Sequence, residues 1–377
     1  VTATTAGCTS TAGTTSVTVN PNPIAPTAGS NSPVCTGQTL SLTASTIAGA
    51  TYSWTGPNSF SSALEDPTIA SVTTAAAGTY SVTATVLGCT GSAGTTAVTI
   101  NATPVAPSTA SNSPICTGQT LTLAASTIAG ATYSWTGPNS FSSASQNPTI
   151  AGVTTAASGT YSVTATVAGC GSTAATTVVT INQTPDAPTA GSNTPVCSGA
   201  TLNLTANTIG GATYSWTGPN AFASALEDPS IAAVTTAASG TYSVTVTVLG
   251  CTSPVGTTAV TINSTPAAPT AGSNSAICAG QTLSLTANTI GGATYSWTGP
   301  NAFASALEDP TIAAATTAAA GTYSVSVTVL GCTGPIGTTA VTVNPIPAAP
   351  TAGSNSPVCS GTTLNLTANT IGGATYS

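Results

Sequence analysis

The sequence predicts an all-β fold, a tandem array of two-sheet antiparallel sandwiches with a period of 81 residues. The period is read from the stretch at residues 78–89, which returns at 159–170, 240–251 and 321–332. Within it Tyr80, Val82 and Ala84 alternate with serine and threonine, the pattern of a strand with one buried face. This recurrence indicates an array of one module rather than a single domain built around one site.

The period divides the chain into four whole modules and two partial ones. We expect the C-terminal part of a module at 1–21, whole modules at 22–102, 103–183, 184–264 and 265–345, and the N-terminal part of a module at 346–377. Because the sequence starts and stops partway through a module, we expect it to be a segment of a longer chain.

About seven short strands are expected in each module. In module 22–102 the first leads to Cys35, the second holds Leu40 and Leu42, and the third ends at Trp54. Turns rich in glycine and proline follow, and strands near Phe60, Ile69, Tyr80 and Val98 complete the set. A helix is the weak alternative, because threonine and valine alternate at a period of two. One tryptophan and one tyrosine per module are the expected aromatic core: Trp54, Tyr80, Trp135, Tyr161, Trp216, Tyr242, Trp297 and Tyr323.

Each module ends in the same linker, with the pattern N-x-x-P-x-A-P. It stands at Asn20, Asn101, Asn182, Asn263 and Asn344. Two prolines in seven residues fix two backbone angles, so the connection is stiff rather than flexible. We therefore expect modules strung end to end in a rod. From the rise of an extended strand, the fragment would span about 150–180 Å.

Composition excludes several classes of partner. The chain has no Lys, Arg or His and a net charge of −7, so it cannot neutralise the phosphates of nucleic acid or an anionic membrane surface. No apolar run approaches the roughly 18 residues of a membrane helix, so we expect no membrane insertion. Ten cysteines without histidine indicate disulfides in an oxidising compartment rather than a metal site. We expect an extracellular, cell-surface location and no cofactor.

Three short fragments carry a resemblance to a known family. They are C-x-G-x-T-L-x-L-T-A from Cys35, Y-S-W-T-G-P-N from Tyr52 and A-G-T-Y-S-V-T-x-T-V from Ala77. They resemble immunoglobulin (Ig) domains, with Tyr80 at the position of the tyrosine corner. The whole chain looks like the bacterial Ig-like and PKD-like tandem repeats of giant secreted cell-surface adhesins, of the type found in Bacteroidota. The resemblance implies Ig-like sandwiches, and it implies no single role, because such repeats serve as stalks in many contexts.

The resemblance also implies a pairing for the cysteines. Cys35 and Cys89 form the obvious pair within one module, but an Ig-like alignment places them at opposite poles of the sandwich. A disulfide needs Cα atoms within about 7 Å, whereas the strand between the poles is roughly 30 Å long. We therefore favour bridges between consecutive modules: Cys35–Cys170, Cys116–Cys251 and Cys197–Cys332. Cys8, Cys89, Cys278 and Cys359 are left for partners outside the fragment.

Candidate chemistry is sparse. The pair Glu65–Asp66 recurs at 227–228 and 308–309 and suggests calcium, but Gln146 and Asn147 replace it in one module, which favours a turn in contact with solvent. Cys35 and Gln38 have the C-x-x-Q spacing of a thioester, although the glutamine is absent after Cys197 and Cys359. Threonine rows such as Thr79, Thr83 and Thr85 suggest ice or glycan binding, with the solvent face of a strand as the plainer interpretation.

The favoured function is structural. We expect a stalk or filament segment of a very large extracellular adhesin-like protein, which projects a distal adhesive region from the cell. Its partners would be neighbouring modules of the same chain, and lateral association between chains stays open. The alternative is that each repeat itself binds polysaccharide or ice, which exposed aromatic side chains would favour. An enzyme is a distant third, because no partner base is available for the carboxylates.

Overall fold

The structure is a computed structural model that describes all residues from Val1 to Ser377. It divides into two compact units, Val1–Thr184 and Pro185–Ser377. Each unit contains two whole modules, and residues 1–21 and 346–377 flank them as short, exposed segments. The module boundaries stay a prediction, and we keep their ranges as names for the four repeated sandwiches.

Module 22–102 in the first unit shows the architecture, and its strand labels β1–β10 are used for the equivalent strands elsewhere. Its strands are β1 Ala28–Ser30, β2 Val34–Cys35, β3 Leu40–Ala44, β4 Thr51–Gly56, β5 Phe60–Ser62, β6 Thr68–Ile69, β7 Gly78–Val86, β8 Cys89–Thr90, β9 Gly94–Val98 and β10 Ile100–Asn101. One sheet has the order β1-β3-β6, and the other has the order β8-β7-β4-β5 with β9 also paired to β7. All these pairs are antiparallel, whereas β2 and β10 pair in parallel.

The other modules repeat these strands with the same pairing. In 103–183 they are Thr109–Ser111, Ile115–Cys116, Leu121–Ala125, Thr132–Gly137, Phe141–Ser143, Thr149–Ile150, Gly159–Val167, Cys170–Gly171, Ala175–Val179 and Ile181–Asn182. In 184–264 they are Ala190–Ser192, Val196–Cys197, Leu202–Ala206, Thr213–Gly218, Phe222–Ser224, Ser230–Ile231, Gly240–Val248, Cys251–Thr252, Gly256–Val260 and Ile262–Asn263. In 265–345 they are Ala271–Ser273, Ile277–Cys278, Leu283–Ala287, Thr294–Gly299, Phe303–Ser305, Thr311–Ile312, Gly321–Val329, Cys332–Thr333, Gly337–Val341 and Val343–Asn344.

The flanking segments contain short hairpins only. Their strands are Thr4–Thr5, Cys8–Thr9, Ala352–Ser354 and Leu366–Ala368. Helical structure is confined to single 3-10 turns at Pro57–Ser59, Thr74–Ala76, Thr155–Ala157, Pro219–Ala221, Thr236–Ala238, Pro300–Ala302 and Thr317–Ala319. None of these helical turns has the length or apolarity that crossing a membrane requires.

The core of each module lies between its two sheets and follows directly from the alternation in the sequence. In β7 the side chains of Tyr80, Val82 and Ala84 are fully buried, while the intervening serine and threonines point outward. Leu40 and Leu42 on β3 meet them from the opposite sheet. Each of the four modules has such a cluster of its own. The predicted all-β array of sandwiches is confirmed.

The structure has ten strand segments per module where about seven strands were predicted. The extra segments arise because the first and last strands are each broken. The first strand changes sheets: β1 pairs with β3, and after a break at 31–33 β2 pairs with β10. At this break the Ser32 hydroxyl accepts a hydrogen bond from the Thr99 backbone N–H (2.8 Å), which takes the place of a ladder bond. The third extra segment, β8, folds back on the end of β7.

Candidate functional site

The tryptophan and the core tyrosine of each whole module lie inside it. Trp54, Trp135, Trp216 and Trp297 are at most 1% exposed. The Trp54 indole N–H donates to the Glu65 backbone oxygen (3.0 Å), so even its polar atom is satisfied within the module. Phe60 is half-buried and packs edge-on against Tyr80, with ring centroids 5.5 Å apart.

Tyr80 links the start of β7 to the turn before it. Its hydroxyl donates to the Ala76 backbone oxygen (3.0 Å), and Tyr161, Tyr242 and Tyr323 make the equivalent bond in their modules. A tyrosine that bonds the backbone a few residues upstream, at the start of this strand of a two-sheet sandwich, is the tyrosine corner. The chain is a tandem array of Ig-like modules.

The same tyrosines make the stability of the array depend on pH at high pH. Burial raises the pKa of Tyr80, Tyr161, Tyr242 and Tyr323 above 10.0. The folded state therefore holds each phenolic proton more tightly than the unfolded state does. Their contribution to stability is fully present below the unfolded pKa near 10 and is lost as the pH rises through the folded pKa.

We expect the melting temperature of the array to fall steeply above pH 10. The chain has no Lys, Arg or His whose loss of charge would add to this change. The measurement is a series of thermal melts from pH 8 to pH 12, with phenolate absorbance recorded alongside. A control variant with serine at Cys8, Cys89, Cys278 and Cys359 removes the free thiols. A melting temperature that stays level to pH 12 would contradict this titration.

The junction between consecutive modules is the most elaborate site in each unit. In the first unit Cys35 is bonded to Cys170 of the next module, with Cα atoms 5.6 Å apart. In the second unit Cys197 is bonded to Cys332, with Cα atoms 5.5 Å apart. These are two of the three pairs that the sequence favoured. Cys116 and Cys251 are also disulfide-bonded, and Cys8, Cys89, Cys278 and Cys359 are free.

The β7–β8 hairpin presents the second cysteine of each pair. In module 103–183 a two-residue turn joins Val167 to Cys170. Ala168 and Gly169 have φ angles of 48° and 82°, which is the geometry of a type I′ hairpin turn. This turn reaches the preceding module, where the Asn101 side chain donates to the Ala168 backbone oxygen (2.9 Å). Asn101 is the first residue of the linker motif, so its recurrence is explained by this contact.

The linker is held against the loop that carries the first cysteine. Thr103 donates its backbone N–H to the Thr36 hydroxyl (3.0 Å), and its own hydroxyl donates to the Thr36 backbone oxygen (3.2 Å). The Thr36 backbone N–H in turn donates to the Asn101 backbone oxygen (2.9 Å). Thr184 and Thr117 repeat the contact one module later. No pattern in the sequence signals this docking, because the two threonines are 67 positions apart.

The C-x-x-Q motif has a structural role. The Gln38 side-chain oxygen accepts from the Cys35 backbone N–H (3.0 Å), and Gln119 and Gln281 do the same for Cys116 and Cys278. A thioester needs the cysteine sulfur, and the sulfur of Cys35 is bonded to Cys170. The motif is therefore a turn that the glutamine side chain closes onto the cysteine backbone.

The acidic pair Glu65–Asp66 connects its turn to the end of strand β3 by hydrogen bonds. Asp66 accepts from the Ala44 backbone N–H (3.0 Å), and Glu65 accepts from the Thr46 hydroxyl. In module 103–183 Asn147 accepts from the Ala125 backbone N–H (3.2 Å), and Gln146 donates to the Thr127 hydroxyl (2.8 Å). Amides of the same shape thus replace the carboxylates without loss of the contacts.

We expect the double substitution Glu65→Gln and Asp66→Asn to change the free energy of unfolding by less than about 0.5 kcal/mol, because both contacts survive. Asp66→Ala is the matched comparison and should cost about 1 kcal/mol, because the Ala44 N–H loses its acceptor. Denaturant melts of the full chain measure both. Repeating the melts with calcium and with a chelator should give the same midpoints, and a rise of several degrees in calcium would instead assign the carboxylates to a cation.

The comparisons with known proteins give distant structural neighbours only. No protein-family model matches the chain, and no curated protein is similar to it. Among solved structures, the N-terminal eight Ig domains of Down Syndrome Cell Adhesion Molecule align at 15% identity and a TM-score of 0.32, over 88% of this chain and 48% of that one. Sidekick-1 Ig domains 1–5 align at 13% identity and a TM-score of 0.26, over 83% and 78%. This chain therefore spans about half the length of the first of them.

Proposed function

We propose that the chain is a stalk segment of a large extracellular surface protein, and that it holds an adhesive region away from the cell. The observation that carries the proposal is the junction: in each unit two modules are joined by backbone, by a disulfide and by side-chain hydrogen bonds. Modules that bound their ligands independently would not need a disulfide and side-chain hydrogen bonds at these joints in addition to the backbone. By the 81-residue period, the same joint is expected to pair Cys116 with Cys251.

The side chains support a structural role over an enzymatic or sugar-binding one. Each module encloses its tryptophan and its main tyrosine, so stacking platforms for sugar rings are missing from the surface. The recurring carboxylates accept hydrogen bonds from a backbone N–H and from a hydroxyl. In one module a pair of neutral amide side chains replaces them. The resemblance to the Ig-like repeats of giant bacterial adhesins supports the same assignment and a cell-surface location.

The shape of the full chain tests this proposal. If stiff joints connect the modules end to end, small-angle scattering should give a rod with about 35–40 Å per module, as the strand lengths require. The oxidised chain is the sample, and the same chain after reduction is the comparison. A compact or randomly coiled particle in the oxidised sample would refute the stalk. Binding to polysaccharide or ice with the same particle shape would favour the alternative function.

A further inference from the structure

Two disulfides decide which parts of the chain can lengthen under a pulling force. Cys35–Cys170 and Cys197–Cys332 each join residues 135 positions apart in the sequence. A force applied along the chain is carried by the shortest covalent path between its ends. That path crosses each bond directly and bypasses the residues that the bond encloses.

We infer that the oxidised chain is a tether of limited extension, a property that rests on the proposed stalk function. Between Cys35 and Cys332 the shortest covalent path contains only the backbone from Cys170 to Cys197, about 27 residues, which reaches at most about 95 Å. With every disulfide reduced, the path has about 297 residues and reaches about 1,000 Å. The bonds thus shorten the maximum extension of this region roughly tenfold.

The segment that transmits the force, from Cys170 to Cys197, can lengthen only slightly. Just under half of its residues lie in four strands, which are Ala175–Val179, Ile181–Asn182, Ala190–Ser192 and Val196–Cys197. A strand already rises about 3.3 Å per residue, close to the limit of about 3.6 Å for a fully extended chain. Pulling therefore gains only a small extension there, even if the hydrogen bonds of these strands break.

The two bonds also enclose most of each packed core, although Val179 and Ile181 lie in the segment that carries the force. Residues 36–169 contain Trp54 and Trp135, and residues 198–331 contain Trp216 and Trp297. A module that loses its packing under force keeps most of its chain inside a loop closed by one disulfide, so that part is not pulled out and its strands can pair again locally. Reduction by a small dithiol, which converts each bridge to two thiols and is itself oxidised to a disulfide, removes this limit.

Force spectroscopy on single full-length chains, held at their two ends, tests the inference. The oxidised chain should stiffen and reach its limit without large steps in contour length. After reduction the same chain should lengthen in successive steps of about 80 residues, or roughly 250 Å each. The inference is overturned if the oxidised chain shows the same steps as the reduced chain.

A variant locates the effect in one bond. The double substitution Cys197→Ser and Cys332→Ser should release about 108 residues if Cys116 is paired with Cys251, and about 135 residues if it is not. The control variant Cys8→Ser and Cys359→Ser removes two free thiols and should leave the extension unchanged. No release from the first variant would refute the tether. A compact shape in scattering would refute the stalk while leaving this force measurement valid.

Discussion

Replacing Gly218 with alanine is expected to destabilise module 184–264 by about 3 kcal/mol. A Cβ atom built on Gly218 would lie 2.4 Å from Cδ1 of Tyr242, which no real contact tolerates. The ring cannot retreat easily, because Tyr242 is fully buried and its hydroxyl is held by the Ala238 backbone oxygen. The glycine is thus required by the approach of the ring and not by its backbone angles, since its φ of −172° is open to any residue.

Gly210→Ala in the same module is the matched control. The added methyl group would have nothing within 4 Å of it, and the chain already carries alanine at the equivalent Ala48 and Ala129. Denaturant unfolding followed by tryptophan fluorescence is a suitable measurement, because each module contains one tryptophan. For Gly218→Ala, about a quarter of the fluorescence change should occur at a lower denaturant concentration than in the unsubstituted chain. For Gly210→Ala, the whole curve should stay where it is. Equal curves for the two variants would refute the tyrosine contact.

Removing the disulfide between Cys35 and Cys170 is expected to have the largest effect on stability. A bond that closes a loop of 135 residues restricts the unfolded chain by about 5 kcal/mol in the chain-entropy description. The double substitution Cys35→Ser and Cys170→Ser should therefore lower the melting temperature of the first unit by many degrees. Cys8→Ser with Cys359→Ser removes the same number of cysteines without a bond and serves as the control.

Peptide mapping of the oxidised chain checks the pairing itself. Trypsin has no site in a chain without Lys and Arg, so another protease is required. A fragment that links the sequence around Cys35 to that around Cys170 is expected. A fragment that links Cys35 to Cys89 would contradict the junction and would leave the double substitution without its predicted effect.

Much of the fold could be predicted because the repeat and the alternation are local features of the sequence. Tyr80, Val82 and Ala84 mark the buried face of β7 by their spacing alone, and the structure places them in the core. The favoured cysteine pairs needed one further step, the placement of Cys35 and Cys89 at opposite poles. That step came from the Ig-like resemblance and not from the spacing of the cysteines.

The contacts that complete the junction could not be predicted, because they join residues far apart in sequence. Thr36 meets Thr103, and Asn101 meets Ala168 in the following module. The break between β1 and β2 depends in the same way on Ser32 reaching Thr99. The role of Asp66 is indicated in the sequence itself, because Asn147 stands at the equivalent position of the next module. An amide of the same shape can make the same hydrogen bond without the charge.

The parallel pairing of β2 with β10 has a consequence for how such a gene can change. The first and last strands of module 22–102 run side by side in the same direction, so the chain leaves the sandwich at the end where Cys35 lies. The bonds Cys35–Cys170 and Cys197–Cys332 each join a module to the one that follows it. Duplication or deletion of one 81-residue unit creates a new joint identical to the others and leaves no cysteine in the interior without a partner. Unequal recombination can therefore lengthen or shorten the protein by whole repeats while each product keeps the same kind of joint between its modules.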